Sequence, residues 1–127
     1  MIKKAKIQDK KGTYYIKDIE SWTPNKKYDI IFSMEAFYYF KDPRGIIKNL
    51  NHHLNKNGIL IIGIDHYKEN IPALNWDKEY NISTNTFSIK EWKNFLIEAD
   101  LNNVDVSQYG KKEQWQGTLI LLGNKKT

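Results

Sequence analysis

Tyr28-Asp29-Ile30-Ile31-Phe32-Ser33-Met34-Glu35-Ala36-Phe37-Tyr38-Tyr39-Phe40-Lys41-Asp42-Pro43, together with the run that follows it to Ile64, decides how the chain folds. Asp29-Ile30-Ile31-Phe32 is a short apolar run of the kind that buried strands carry. Asp42-Pro43 reads as a helix N-cap and first helical residue, since proline has no N–H to lose there. Ile46, Ile47, Leu50 and Leu54 follow at helical spacing and give one apolar face. Asn57-Gly58 is expected to end the helix by offering a left-handed position. Ile59-Leu60-Ile61-Ile62-Gly63-Ile64 is then a second continuous apolar strand. Strand, helix and strand make a βαβ unit, for which a right-handed crossover is the rule.

Working outward, Ser88-Ile89-Lys90-Glu91 has the pattern of a capping box and opens a second helix, with Trp92, Phe95, Leu96 and Ala99 on its buried face. Val104 to Gln108 and Thr118 to Leu122 are two further strands, and the polar segment between them contains Gly110, so a hairpin is expected. Thr13 to Ile16 reads as an early strand from its Tyr and β-branched content. Hydrophobic strands alternating with helices predict one α/β domain over residues 1–127, its sheet mostly parallel with a C-terminal antiparallel hairpin. The segment 67–87 has little periodicity, and a connection of that length is usually a lid or disordered; here it is a candidate substrate lid.

Composition narrows the function. The chain has 127 residues, 40% hydrophobic and 28% charged, as soluble globular domains do. With no cysteine there is neither a disulfide framework nor a thiolate zinc site, and no His/Asp/Glu spacing suits a metal, so no metal is expected. A cytoplasmic location is the default expectation. The start, Met1-Ile2-Lys3-Lys4-Ala5-Lys6, is basic without an apolar core behind it, unlike a signal peptide. The run from Ile59 to Ile64 is too short to span a bilayer, so no membrane partner is expected. The net charge of +5 invites a nucleic-acid reading, yet of the 20 Lys and Arg residues only Arg44 is arginine, and the lysines are scattered. Nucleic acid therefore ranks last among the partners.

The stretch from Tyr28 to Pro43 resembles the fourth strand and following loop of class I (type 11) S-adenosylmethionine-dependent methyltransferases. In that family a hydrophobic run ends in a small polar residue, and a loop containing His or Tyr leads to an Asp-Pro helix start. Leu54-Asn55-Lys56-Asn57-Gly58-Ile59-Leu60 is similar to the family's turn into strand five, with Asn57 where proline is common. Tyr15-Ile16-Lys17-Asp18-Ile19-Glu20 resembles its third strand, and Gly117 to Leu121 its last antiparallel strand. The resemblance implies a partial Rossmann-like sheet in which strands one and two are absent. It also implies S-adenosylmethionine as cofactor. The seven glycines form no G-x-G loop, and no acidic residue stands where one would bind the ribose, so full cofactor binding is expected to need an N-terminal half. In the family's order those missing strands separate strand three from strand four. Their loss leaves the Asp29–Phe32 strand with an open edge, onto which strand three is expected to re-pair, or else a second chain, giving a homodimer or a completed sheet.

Methyl transfer from a sulfonium needs mainly alignment, with a base only where the acceptor must lose a proton. By the resemblance, Asp18 and Ile19 address the adenine edge; the alternative for Asp18 is an exposed carboxylate at a strand end. Ser33, Met34 and Glu35 follow the strand at the crevice end and are cofactor candidates, with Met34 otherwise core and Glu35 otherwise a solvated or substrate-binding carboxylate. Tyr39 stands where the family often has His, and His66, after the next strand, titrates near neutrality; both are catalytic candidates. Tyr38, Tyr67, Asn70 and Trp76 are substrate candidates, with core packing as the alternative, which for the aromatic run at Tyr38 is the commoner role. His52 and His53 read as surface. The methyl acceptor, small molecule or otherwise, is not legible. The competing reading is a non-catalytic methyltransferase-like module that binds a protein partner.

Overall fold

The computed structural model describes residues 25–79 and 84–126, so the early strand at Thr13–Ile16, with Asp18 and Ile19, lies outside the described residues. The described elements are β1 (Tyr28–Met34), a 3-10 turn (Phe37–Tyr39), α1 (Pro43–His52) and β2 (Leu54–Ile64). A second 3-10 turn (Ile71–Ala73), the short α2 (Trp76–Glu79), α3 (Ile89–Glu98), β3 (Asn102–Tyr109) and β4 (Thr118–Asn124) complete them. The strands form one sheet in the order β1-β2-β4-β3. β1 and β2 run parallel, with Ile31 opposite Leu60 and Phe32 opposite Ile61. β2/β4 and β3/β4 are antiparallel. The expected hairpin is therefore present, and β4 lies inside the sheet beside β2. The described strands make one parallel and two antiparallel pairings, a mixed α/β sheet that ends in the expected antiparallel hairpin.

Helix α1 starts as its sequence dictates. Asp42 Oδ1 accepts from the Gly45 N–H at 3.1 Å and Pro43 occupies the first turn. Its end differs from the expectation. The helix stops at His52, and Leu54 already belongs to β2, paired with Tyr28. Asn57, at φ 67°, sits inside the strand as a bulge, so the register jumps from Tyr28–Leu54 to Ile30–Ile59. Leu54 reaches the core from the strand as well as from a helix, and is fully buried there. The bulge brings backbones together at Gly58, where a Cβ would lie 2.8 Å from the Asn55 carbonyl and 3.1 Å from that of Tyr28.

Helix α3 carries the full capping box: Ser88 Oγ accepts from the Glu91 N–H and Glu91 Oε1 accepts from the Ser88 N–H, each at 3.1 Å. Trp92, Phe95 and Leu96 of α3 and Ile46, Ile47 and Leu50 of α1 pack on one face of the sheet. Leu60, Ile62, Ile64, Leu119 and Leu121 point up from that face and are fully buried. The segment 67–87 is not a structureless span in its described part: it holds a 3-10 turn and α2, and Tyr67, Asn70 and Ala73 are buried. Among the described residues no helix is long and apolar enough to cross a membrane.

Candidate functional site

The parallel pair β1/β2 ends at Met34 and Ile64, and the residues just past these two ends meet. Glu35 turns out of β1 with φ 57°, a left-handed conformation that costs a non-glycine residue of order 1 kcal/mol or more. Its N–H still reaches across to the Gly63 carbonyl at 2.7 Å, so the turn is tied to the end of β2. Gly63 has no side chain to give, and a Cβ there would collide with Met34 Sδ. Met34 thereby lies flat against β2, with 44% of its surface exposed, and Ser33 is half-buried opposite Ile62.

The Glu35 carboxylate folds back under the 3-10 turn. Oε2 accepts from the Tyr38 hydroxyl at 2.9 Å. Oε1 is buried and has no hydrogen bond of ordinary geometry among the described residues, although the Asp65 backbone N–H lies near the carboxylate and favours its charged form. Burial pushes the Glu35 carboxyl above the ordinary carboxylate range; the Tyr38 hydrogen bond opposes the shift, and the nearby charge of Asp65 adds to it. Burial likewise raises the Tyr38 phenol, helped by the neighbouring Tyr39 and by its hydrogen bond to Glu35. Two contacts from the far side of segment 67–87 hold the turn. The Asn85 N–H donates to the Tyr38 carbonyl at 2.7 Å, and the Asn85 side-chain amide donates to the Phe40 carbonyl.

His66, Tyr67, Asn70 and Trp76 gather behind this turn. The His66 ring lies 5.6 Å from that of Tyr38 and 5.9 Å from that of Trp76. It is fully buried: Nδ1 is 2.8 Å from the Ala73 carbonyl, and Nε2 is 2.7 Å from Thr86 Oγ1. A carbonyl only accepts, so Nδ1 carries a proton, while Nε2 meets a Thr86 hydroxyl that can give or take the hydrogen bond. Both nitrogens are engaged, and in this arrangement His66 ties two parts of segment 67–87 together. Tyr67, also fully buried, donates to the Gly117 carbonyl at 2.7 Å and accepts from Gln108 Nε2 at 3.2 Å. Burial raises its phenol. Asn70 joins three elements, donating to the Asp65 carbonyl at 2.8 Å and accepting from the Gln116 N–H at 3.0 Å. Trp76 lies between Tyr38, edge-on at 6.0 Å, and Trp115, tilted at 6.4 Å.

The structure thus brings Ser33, Met34, Glu35, Tyr38, Tyr39 and His66 to one end of the sheet, with Tyr67, Asn70 and Trp76 as the layer that supports them. Two members of the site have roles that sequence reasoning does not assign, although Asp65 is placed by it at the crevice end. Asp65 follows β2 as Glu35 follows β1, and its Oδ1 accepts from Thr118 Oγ1 at 2.7 Å; that parallel placement was the available signal. Trp115 sits in the β3–β4 connection, far from the rest in sequence, and gave none. A separate open groove of about 470 Å³, lined by Glu69, Ile71, Glu113, Gln114 and Gln116, shares no residue with the Glu35 turn.

An α/β sheet with helices on one face and a side-chain cluster beyond the carboxyl ends of its parallel strands belongs to the Rossmann-like class. The family follows from comparison: the chain belongs to the methyltransferase domain family, whose profile matches residues 2–106. It is 33% identical over 101 residues to a malonyl-[acyl-carrier protein] O-methyltransferase of Ilyobacter polytropus, a match that takes in 71% of this chain and 38% of that protein. The chain thus spans well under half the length of that relative. An S-adenosylmethionine-dependent methyltransferase from Mesorhizobium loti superposes with TM-score 0.80 at 12% identity, over 98% of this chain and 76% of its own. A methyltransferase solved with the Trm112 activator of Haloferax volcanii gives 0.73 at 19%, over 89% and 61%. At these identities the structures attest the fold alone.

Proposed function

We propose that this chain is the carboxyl-terminal part of an S-adenosylmethionine-dependent methyltransferase, active when an N-terminal half completes the cofactor site. The observation that supports the reading most is the meeting of Met34 and Glu35 at the end of β1, with a buried carboxylate oxygen that has no hydrogen bond of ordinary geometry among the described residues. Such an atom calls for a further partner, a ligand group or a water, and its place beyond the strand ends is where a ligand group would supply one. The described residues fit one edge of the cofactor: Ser33 and Met34 would lie against its adenine and sulfur, and Glu35 would face its cationic region. Asp18 and Ile19 remain the candidates for the adenine edge. When bound, the cofactor supplies a methyl group that is already activated. The chain's part is then to hold the acceptor in line and exclude water. In this reading Tyr38 and Trp76 wall that space, and Tyr39 meets an acceptor. A cytoplasmic setting suits a chain without cysteine.

A second reading has its own support. The face of β1 opposite the helices is apolar and open, which suits a module that docks on a partner, and the likeness to a methyltransferase solved with an activator is in keeping with that. Calorimetry with S-adenosylhomocysteine separates the two readings. Binding that strengthens when an N-terminal half is supplied, and weakens in Met34→Ala and Glu35→Ala, is the outcome expected of the enzyme. No heat from the completed domain would leave the docking module as the better account.

A further inference from the structure

We propose that β1 pairs with the β1 of a second copy of this chain, antiparallel about a two-fold axis at Ile31, and that this copy occupies the edge an N-terminal half would need. The competition with an N-terminal half rests on the methyl-transfer reading above; the pairing does not.

The sheet of described strands ends in two edges, β1 and β3, and they differ. β3 is blunted. Its register shifts between Asn102 and Asp105, Asn103 sits at φ 52°, and its exposed positions are Asn103, Asp105 and Tyr109. β1 carries no such protection. None of its residues from Tyr28 to Met34 has a positive φ, and the bulge beside it belongs to β2. Among the described residues no strand pairs with its free side, where Ile30 and Phe32 are 62% and 61% exposed.

The ladder decides which backbone groups face that free side. The Glu35 N–H reaches the Gly63 carbonyl, and backbone groups alternate sides along a strand. Those of Ile31 and Ser33 therefore face β2, and those of Ile30 and Phe32 face outward. Tyr28 breaks the alternation at the bulge, giving its N–H to the His53 carbonyl at 2.8 Å.

Ile31 is the midpoint of Tyr28–Met34, so an antiparallel pair centred there overlaps the whole strand. Ile30 then meets the partner's Phe32, a β-branched residue against a ring, and the two exchange backbone hydrogen bonds. Tyr28 meets the partner's Met34, Asp29 meets the partner's Ser33, and Lys27 stands at the partner's Glu35. Charge selects this register. With Phe32 on the axis, Asp29 would oppose the partner's Glu35, like against like. With Ile30 on the axis, Lys26 would oppose the partner's Met34 and the Lys27–Glu35 match would be lost.

The register can be read by cross-linking. On the axis the two Ile31 Cα atoms lie about 4.5 Å apart, whereas positions two residues out of register lie about 7–8 Å apart. A disulfide spans the first distance and strains at the second. The chain has no cysteine, so one introduced thiol reports one position. The full chain carrying Asp29→Cys, Ile30→Cys, Ile31→Cys, Phe32→Cys or Ser33→Cys is oxidised in a glutathione buffer and run on a non-reducing gel. Ile31→Cys should give roughly tenfold more two-chain product than any other. Product led by Ile30→Cys or Phe32→Cys overturns the register. Sedimentation of the unmodified chain keeps the pairing testable even where a variant fails to fold: the mass of one chain at every concentration overturns it, as expected if Thr13–Ile16 covers the edge instead. Lys27→Glu supplies an independent reading. It lowers the net charge of +5, which by overall repulsion alone would favour association. The register predicts the opposite, a dissociation constant raised about threefold, and a lowered one overturns the Lys27–Glu35 match. Finally, the oxidised Ile31→Cys dimer, mixed with the N-terminal half, should give no heat with S-adenosylhomocysteine until the disulfide is reduced. Heat from the oxidised form overturns the competition. No heat before or after reduction, with the disulfide formed, overturns the methyl-transfer reading and leaves the pairing standing.

Discussion

The two faces of the sheet use the same residue types and meet different fates. On the face beneath α1 and α3, Leu60, Ile62, Ile64, Leu119 and Leu121 are fully buried. On the other face of the same strands, Ile30 and Phe32 are 62% and 61% exposed, with Met34 following in the same row. A sheet with one wet face alternates apolar and polar residues; continuous apolar runs belong to strands covered on both faces. Ile30-Ile31-Phe32 and Ile59 to Ile64 are such runs. The sequence is thus written for two covering layers, and the described residues supply one. In β2 and β4 the same side continues with Ile61 opposite Phe32 and Leu122 opposite Ile61, both half-buried, so the apolar row crosses three strands and is most open on β1.

The covered face should respond most to mutation. Trp92 is fully buried, with its ring 5.4 Å from those of both Phe87 and Phe95. Trp92→Ala should cost about 3–5 kcal/mol, close to the whole stability of a small domain, and abolish a cooperative urea transition. Trp92→Phe should cost much less. The indole N–H is buried without a partner among the described residues, and removing it relieves a desolvation penalty that offsets part of the lost packing. If the two variants unfold alike, packing around the indole is not what holds α3 to the sheet.

A smaller effect is expected at the start of the same helix. Ser88→Ala removes one half of the capping box and should cost about 1 kcal/mol, read as a lower melting temperature with an unchanged far-UV spectrum. Loss of the spectrum as well would mean that α3 depends on its cap more than on its buried face.

How much was legible in the sequence follows from how local each signal is. The strand runs, the Asp42-Pro43 start and the Ser88–Glu91 box are written in adjacent residues, and the structure has each of them. The end of α1 was misplaced because Leu54 suits the apolar face of a helix and the core side of a strand equally well. Only its pairing with Tyr28 decides between them. The site divides in the same way. Glu35, Met34 and the tyrosines follow one strand directly and were found together. The partners that hold them, Asn85 on the Tyr38 carbonyl and Thr86 on His66, come from beyond α2, and no spacing announces them. That His66 has both nitrogens engaged is a property of the fold, invisible in the words Asp65-His66-Tyr67.

The smallest stability effect should come from the open face, and it is the most informative about that face. Phe32→Lys replaces an exposed ring on β1 with a charge, and on an uncovered surface the change in unfolding free energy should stay within about 0.5 kcal/mol. Association should change far more. An exposed apolar row beside an edge strand is a surface that finds partners, and a lysine in its centre opposes both face packing and strand addition. Light scattering after size exclusion should therefore show the unmodified chain gaining mass with concentration, and Phe32→Lys holding at the mass of one chain. A stability loss approaching that of Trp92→Ala would mean that Phe32 is already covered in solution. The contrast between the two faces would then be one of which chain supplies the cover, and no longer one of whether a cover exists.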